Sequence, residues 1–184
     1  TRKLETMALA GTQWPDPGTD PQTVTWSDKI VEEQGLVAEY IRTAFAEAGI
    51  ADVSETDPAT VEAGHLMHLR SDFEAPLAGN AAESLGQLLD RLHPTSAVCG
   101  MPKTAALDFL AREEGYARTC YAGDFGPVGL DRGTKLYVNL RSARVSGSEI
   151  YLHIGGGIVG DSDPATEWQE TVEKARIIGR AIPG

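Results

Sequence analysis

Three stretches of this chain place residues of catalytic or ligating type where a fold would bring them together. Glu33 lies four residues before Val37. Tyr40, Ile41, Ala44, Phe45 and Ala48 then follow at the i, i+3, i+4, i+7 spacing of an amphipathic helix. Two readings are open for it: a carboxylate at the margin of the apolar stripe, close to the positively polarised helix N-terminus, or a buried acid or metal ligand. Burying an unpaired charge is costly, so spacing alone favours the first. Near the C-terminus Glu167, Glu170 and Lys174 fall at i, i+3, i+7 and share a helix face. A solvated salt-bridge stripe explains them. So does a buried site, because Ile178 and Ala181 share their face while Trp168, Val172, Ala175 and Ile182 line another, and a helix apolar on several sides is a buried one. Few carboxylates with room for water suit magnesium. Pattern alone leaves the stripe and the metal site even.

The third stretch is Ile154-Gly155-Gly156-Gly157-Ile158. Glycines inside a strand pattern point to a bulge or a close backbone approach to a ligand, and bare N–H groups there can hold a carboxylate. Arg141 shares a strand face with Tyr137 and Asn139; it is either an exposed edge residue or a planar fork for a carboxylate. His68 falls on the polar face of an alternating segment, a structural histidine or a neutral-pH proton carrier. Cys99 and Cys120 have no histidine at a motif spacing, and no GxSxG elbow, P-loop or HExxH occurs.

The elements that must position these residues are legible in outline. Residues 28–48 predict a helix with Ser27 as N-cap and Gly49 beyond its end. Residues 65–73 predict a half-buried strand, with Met67, Leu69 and Phe73 on one face and His68, Arg70 and Asp72 on the other. Helices are expected over 81–92 and 103–114. Segments 118–130, 134–145 and 148–159 predict a three-stranded antiparallel meander, turning at Asp131-Arg132-Gly133 and Ser146-Gly147. Asp163 and Pro164 then open a last helix as N-cap and N1. This order does not alternate as βαβ, so the expected class is α+β, in one continuous unit over 1–184.

The chain has 184 residues, a formal net charge of -11 and 41% hydrophobic residues. That charge argues against nucleic acid and against an anionic membrane surface. No apolar run is long enough to span a bilayer and no secretory signal opens the chain. Two cysteines make neither a disulfide scaffold nor a zinc site, so a cytoplasmic location is expected.

The segment from Leu92-His93-Pro94-Thr95-Ser96 through Ala97-Val98-Cys99-Gly100-Met101-Pro102-Lys103 resembles a signature of the chorismate-utilising enzymes. That family contains isochorismate, salicylate, anthranilate and aminodeoxychorismate synthases. Other family motifs stand in order over nearly the whole chain: Ala8-Leu9-Ala10-Gly11-Thr12, Ser27-Asp28-Lys29 leading to Glu33, His68-Leu69, Tyr121-Ala122-Gly123, Leu140-Arg141-Ser142-Ala143, and Gly155 to Val159. The last runs from Ser162-Asp163-Pro164 through Glu167-Trp168-Gln169-Glu170-Thr171 to Lys174.

The resemblance implies roles. Glu33 and Glu170 would be ligands to Mg2+, with Glu167 nearby through water, and the metal would hold the ring carboxylate of chorismate. Lys174 and Gly155, Gly156 and Gly157 would help seat that carboxylate. Tyr121 and Arg141 would grip the enolpyruvyl carboxylate. Gly11 and Thr12 would lie along the ring, and His68 stands where the family places a ring-proximal histidine. Family members that go on to eliminate pyruvate tend to carry threonine where this chain has Ala97. The alanine therefore resembles isochorismate synthases and implies no glutaminase subunit. The family's water-activating lysine and general-acid glutamate lie N-terminal to the Ala-Gly-Thr segment, and neither Lys3 nor Glu5 fits them. The expectation is the C-terminal part of a single chorismate-binding domain of antiparallel sheets flanked by helices, without its N-terminal strands and poorly active alone. Its sheet edges would be covered by the rest of the domain, by a second copy in a homo-oligomer, or by nothing. The implied product feeds menaquinone or a siderophore. The alternatives are a salicylate- or anthranilate-type synthase, or a non-catalytic chorismate-binding remnant.

Overall fold

The computed structural model describes residues 3–64, 66–77, 81–129 and 133–180, with the side chains of Ala81, Ala82 and Ile177 left aside. The fold is α+β, as expected, and divides into two compact units, Thr1–Leu92 and His93–Gly184.

The first unit is a four-stranded antiparallel sheet backed by helices. Strand β1 (Lys3–Gln13) is followed by a one-turn 3-10 helix (Pro21–Thr23), helix α1 (Asp28–Glu47), strands β2 (Ser54–Glu55), β3 (Ala59–Ala63) and β4 (Leu66–Pro76), and helix α2 (Ala81–Leu92). β4 is central. It pairs with β1 along one edge and with β2 and β3 in succession along the other. Met67, Leu69, Ser71, Phe73 and Ala75 of β4 are all buried, the period-two face expected of a strand packed on a helix. α1 covers that face with Ala38, Ile41, Ala44 and Phe45, and Leu88 of α2 closes the core. Inside it the Gln34 amide donates to the Ser71 hydroxyl at 2.9 Å, which satisfies two polar groups that burial would otherwise penalise. Phe45 is 1% exposed. Phe45→Ala is expected to destabilise this unit by about 3–5 kcal/mol, measured by urea unfolding, because the cavity cannot close against a sheet.

β1 is not announced by its own pattern. Its larger apolar side chains, Met7 and Leu9, are 46% and 40% exposed, whereas Ala8 is fully buried.

The second unit holds helices α3 (Ser96–Cys99) and α4 (Lys103–Glu113), strands β5 (Asp124–Phe125), β6 (Tyr137–Val138), β7 (Ser142–Ser146) and β8 (Glu149–His153), and helix α5 (Pro164–Gly179). The expected meander is corrected to two separate two-stranded pairs, β5–β6 and β7–β8. Two turns break it. Thr119 and Ala122 have φ of 52° and 63°, so strand structure begins only at Asp124; Arg141 has φ 50° and ends the segment that began at Tyr137. The Leu140 N–H bonds the Val138 carbonyl at 3.0 Å, a tight turn that aims the chain away from β5. The Ser146-Gly147 hairpin forms where expected, with Ser142 opposite His153 and Ser146 opposite Glu149. β8 stops at His153, so the glycine run leaves the sheet. Asp131 and Arg132 of the other expected turn, and Ala181 and Ile182 of the last helix, lie outside the described residues.

Candidate functional site

In the first unit, the β1–β4 register runs without interruption to Ala10 opposite Leu69 and resumes at Gln13 opposite Met67. Gly11 and Thr12 therefore face the single residue His68. This is a β-bulge, and such bulges re-aim a strand beside functional sites. Gly11 has φ 70°, and a Cβ there would lie 2.4 Å from Ile30 Cγ2. The bulge turns the Gly11 carbonyl onto the imidazole: His68 Nδ1 is 2.7 Å from it, with the Thr12 hydroxyl at 3.4 Å. A carbonyl only accepts, so Nδ1 carries the proton. His68 lies on the strand face that the sequence reads as polar, yet it is covered. It is 8% exposed, because the bulge supplies the partner that lets an imidazole be buried there.

Glu33 occupies the margin of the α1 stripe. The buried residues are Gln34, Ala38, Ile41, Ala44 and Phe45; Glu33 is half-buried and 3.8 Å from Lys29 Nζ.

The second unit gathers most of the other expected residues around the glycine run. Asp163 caps α5, accepting from the Thr166 N–H at 2.9 Å and the Thr166 hydroxyl at 2.8 Å. Both bonds hold its carboxyl below the usual aspartate range. The folded form thus prefers the ionised carboxylate. Its contribution is present above the unfolded-state pKa and is lost as pH falls through the lower folded-state value. Asp163→Ala is expected to lower the thermal midpoint at neutral pH, and by much less in strong acid; melts at both pH values check this.

One turn into α5, Glu167 is 7% exposed. The Ser162 hydroxyl donates to it at 2.6 Å and itself accepts from the Val159 N–H at 3.1 Å. This fastens the loop after the glycines to the helix. A Cβ on Gly156 would lie 3.7 Å from Glu167 Oε2, and one on Gly155 only 2.7 Å from the Tyr121 hydroxyl, so the backbone of the run lies close to these side chains. Glu170 forms an ion pair with Lys174, and Lys174 Nζ donates to the Gly155 carbonyl at 3.3 Å. Tyr121, Gly155, Gly156, Glu167, Glu170 and Lys174 are thus one neighbourhood. Gly157 continues its exposed backbone. Arg141 is half-buried in the turn before β7, one residue ahead of the Ser142 that pairs with His153.

One α5 residue departs from the buried-helix reading. Trp168 was to line a buried face but is 70% exposed, while the Glu167 face is the covered one. The sequence reading also passed over Arg118 and Glu114. Arg118 reaches over the Tyr121 ring, 5.8 Å from its centroid, and bonds Glu114 through two nitrogens at 2.6 and 2.5 Å. That pairing holds Glu114 below its usual range, and burial pushes the Tyr121 phenol up. Only their (i, i+4) spacing signalled the pair. Burial also raises the Cys99 thiol, against a thiolate nucleophile. Ala97 is exposed on α3.

Among the described residues no three histidine, cysteine or carboxylate groups converge as a ready metal cage; Glu33 belongs to one unit, Glu167 and Glu170 to the other. None of the described helices is long and apolar enough to cross a membrane.

The family model for chorismate binding enzymes matches residues 1–183. The chain belongs to that family. It is 37% identical over 179 residues to the isochorismate synthase MenF of Escherichia coli, covering 95% of this chain and 40% of that protein. It is 37% identical over 185 residues to the salicylate biosynthesis isochorismate synthase of Pseudomonas aeruginosa, covering 96% and 38%. Anthranilate synthase component 1 of Neisseria meningitidis is 34% identical over 71% of the chain. The solved structure of Escherichia coli MenF superposes with a TM-score of 0.82 at 34% identity, over 96% of this chain and 41% of that one. The chain therefore spans about two fifths of the length of the isochorismate synthases it matches.

Proposed function

We propose that this chain is the metal-binding part of a magnesium-dependent isochorismate synthase that converts chorismate to isochorismate. The observation that carries this is the convergence of Tyr121, Glu167 and Lys174 on the backbone of Gly155 and Gly156. In the reaction, water adds at C2 while the C4 hydroxyl leaves, so one group must take a proton and another must give one. We assign that base and that acid to residues N-terminal to the Ala8–Thr12 segment.

The residues here suit substrate seating. The glycine ledge offers backbone without side-chain obstruction. Lys174, held by Glu170 and the Gly155 carbonyl, offers a cation to a ring carboxylate. Tyr121 and Arg141 take the enolpyruvyl carboxylate, while Gly11, Thr12 and His68 lie along the ring. The donor set fits Mg2+, which takes one or two carboxylates and fills its other positions with water and substrate oxygens. Glu33 and Glu170 would hold the ion, with Glu167, steered by Ser162, through water. When bound, the ion supplies charge compensation for a dianionic substrate in an acidic protein. We place the enzyme in the cytoplasm, without a glutaminase subunit, on a route to menaquinone or a siderophore.

Incubation of the full-length protein with chorismate and magnesium, followed by chromatography, tests this. Isochorismate without pyruvate is expected. Salicylate, or anthranilate with an ammonia source, would overturn the reading that Ala97 supports. No product from a well-folded protein would leave a chorismate-binding remnant.

A further inference from the structure

Tyr121 is a phenol at the end of two rotatable bonds, and such a group can orient a ligand only if its ring is held in place. The second unit holds it with the Arg118 guanidinium, 5.8 Å from the ring centroid, and with one backbone segment running from His153 to Gly155. His153, the last residue of β8, stacks on the Tyr121 ring with centroids 5.4 Å apart and an interplanar angle of 21°. Two residues later Gly155 lies against the Tyr121 hydroxyl, where a Cβ would come within 2.7 Å. The strand end at His153 is fixed in turn by its register with Ser142, and Tyr116 flanks the imidazole with centroids 6.4 Å apart. Nothing in the proposed chemistry uses this histidine. Its Nε2 is buried with no hydrogen-bond partner, although buried polar atoms are nearly always satisfied. A ring whose buried nitrogen goes unused is kept for its face.

We propose that His153 is a positioning residue, whose ring stacks on Tyr121 and keeps its hydroxyl at the Gly155 ledge for the substrate carboxylate. This rests on the reading of the ledge as a chorismate site. Two predictions separate the ring from its nitrogen. Removing the ring frees Tyr121, whereas a phenyl ring restores the stack without the orphaned nitrogen. A purely structural role would move neither Tyr121 nor KM selectively.

The test uses the full-length protein labelled with 3-fluorotyrosine, in which the chain's five tyrosines give fluorine resonances and Tyr121→Phe assigns the one of interest. His153→Ala is expected to shift that resonance toward free fluorotyrosine. It is also expected to raise KM for chorismate about fivefold with kcat within about twofold, the scale of one lost aromatic contact. His153→Phe is expected to restore both. If circular dichroism shows the alanine variant unfolded, His153→Met replaces it. An unmoved Tyr121 resonance in the ringless variant overturns the proposal, as does a phenylalanine variant that behaves like the ringless one. Should the wild-type protein neither bind nor convert chorismate, the proposed function fails. The fluorine spectra still decide whether His153 positions Tyr121.

Discussion

Alanine at Glu170 is expected to remove magnesium-dependent chorismate binding from the full-length protein, with a loss of at least about 100-fold, and alanine at Glu33 to do the same. The two substitutions reach this result differently. Glu33 pairs with Lys29 at a half-exposed margin of α1, outside the buried stripe of Gln34, Ala38, Ile41, Ala44 and Phe45. Glu170 also pairs with Lys174, whose side chain is only 13% exposed. Its loss leaves a covered ammonium that keeps the Gly155 carbonyl as an acceptor but has lost its counter-charge and is free to reorient. Glu170→Gln separates the effects. The amide can still accept from Lys174, but it is a much weaker magnesium ligand than a carboxylate. Calorimetry with and without magnesium reads the outcome. The glutamine variant should keep its folding stability and lose the metal-dependent part of the affinity. Unchanged affinity in both Glu33→Ala and Glu170→Ala would sink the metal assignment.

A large stability loss is expected from Gly11→Ala. Two terms add there. A non-glycine residue at φ 70° costs about 1–2 kcal/mol. The new methyl would also stand 2.4 Å from Ile30 Cγ2 and 3.0 Å from the Trp26 ring. Neither neighbour gives way easily: Trp26 is tied through its indole N–H to the Thr60 hydroxyl at 2.9 Å, and Ile30 sits in the first turn of α1. Overpacking of this kind adds about 1–3 kcal/mol. Gly49 is the control. Its φ is 66°, yet nothing lies within 4 Å of a Cβ built there, so Gly49→Ala carries the backbone term alone. Denaturant unfolding of both variants should show Gly11→Ala clearly the worse. Equal losses would mean that the Ile30 contact yields. Because the Gly11 carbonyl is the acceptor for His68, the same substitution should also disturb the imidazole, which a histidine NMR spectrum would report.

The long elements were legible because their periods are strong and local. α1 and α2 were anticipated within a residue or two, β4 within three, and α5 begins at the Pro164 its capping signal indicates. The meander was not, because its failure lies in φ values at Thr119, Ala122 and Arg141, three residues whose types do not demand positive φ. Trp168 shows the same limit on a helix. Its place on a second apolar side argued for burial, but which side of α5 is covered depends on the Ser162 loop and the glycine ledge.

By itself, the sequence determined the family, through ordered motifs that span nearly the whole chain, and the α+β class, through the alternation of helical and strand periods. It also determined which residue types are available for chemistry, since carboxylates, a lysine and a glycine run are written in the chain regardless of packing. Only the tertiary structure decided what those residues touch. The bulge that buries His68 arises from the pairing of strands separated by more than fifty residues. The ledge arises because Gly155 can approach Tyr121 closer than any side chain would allow. The ring of His153 became visible only through the company it keeps, for stacking depends on distance and angle in space, and neither is a property of residue order.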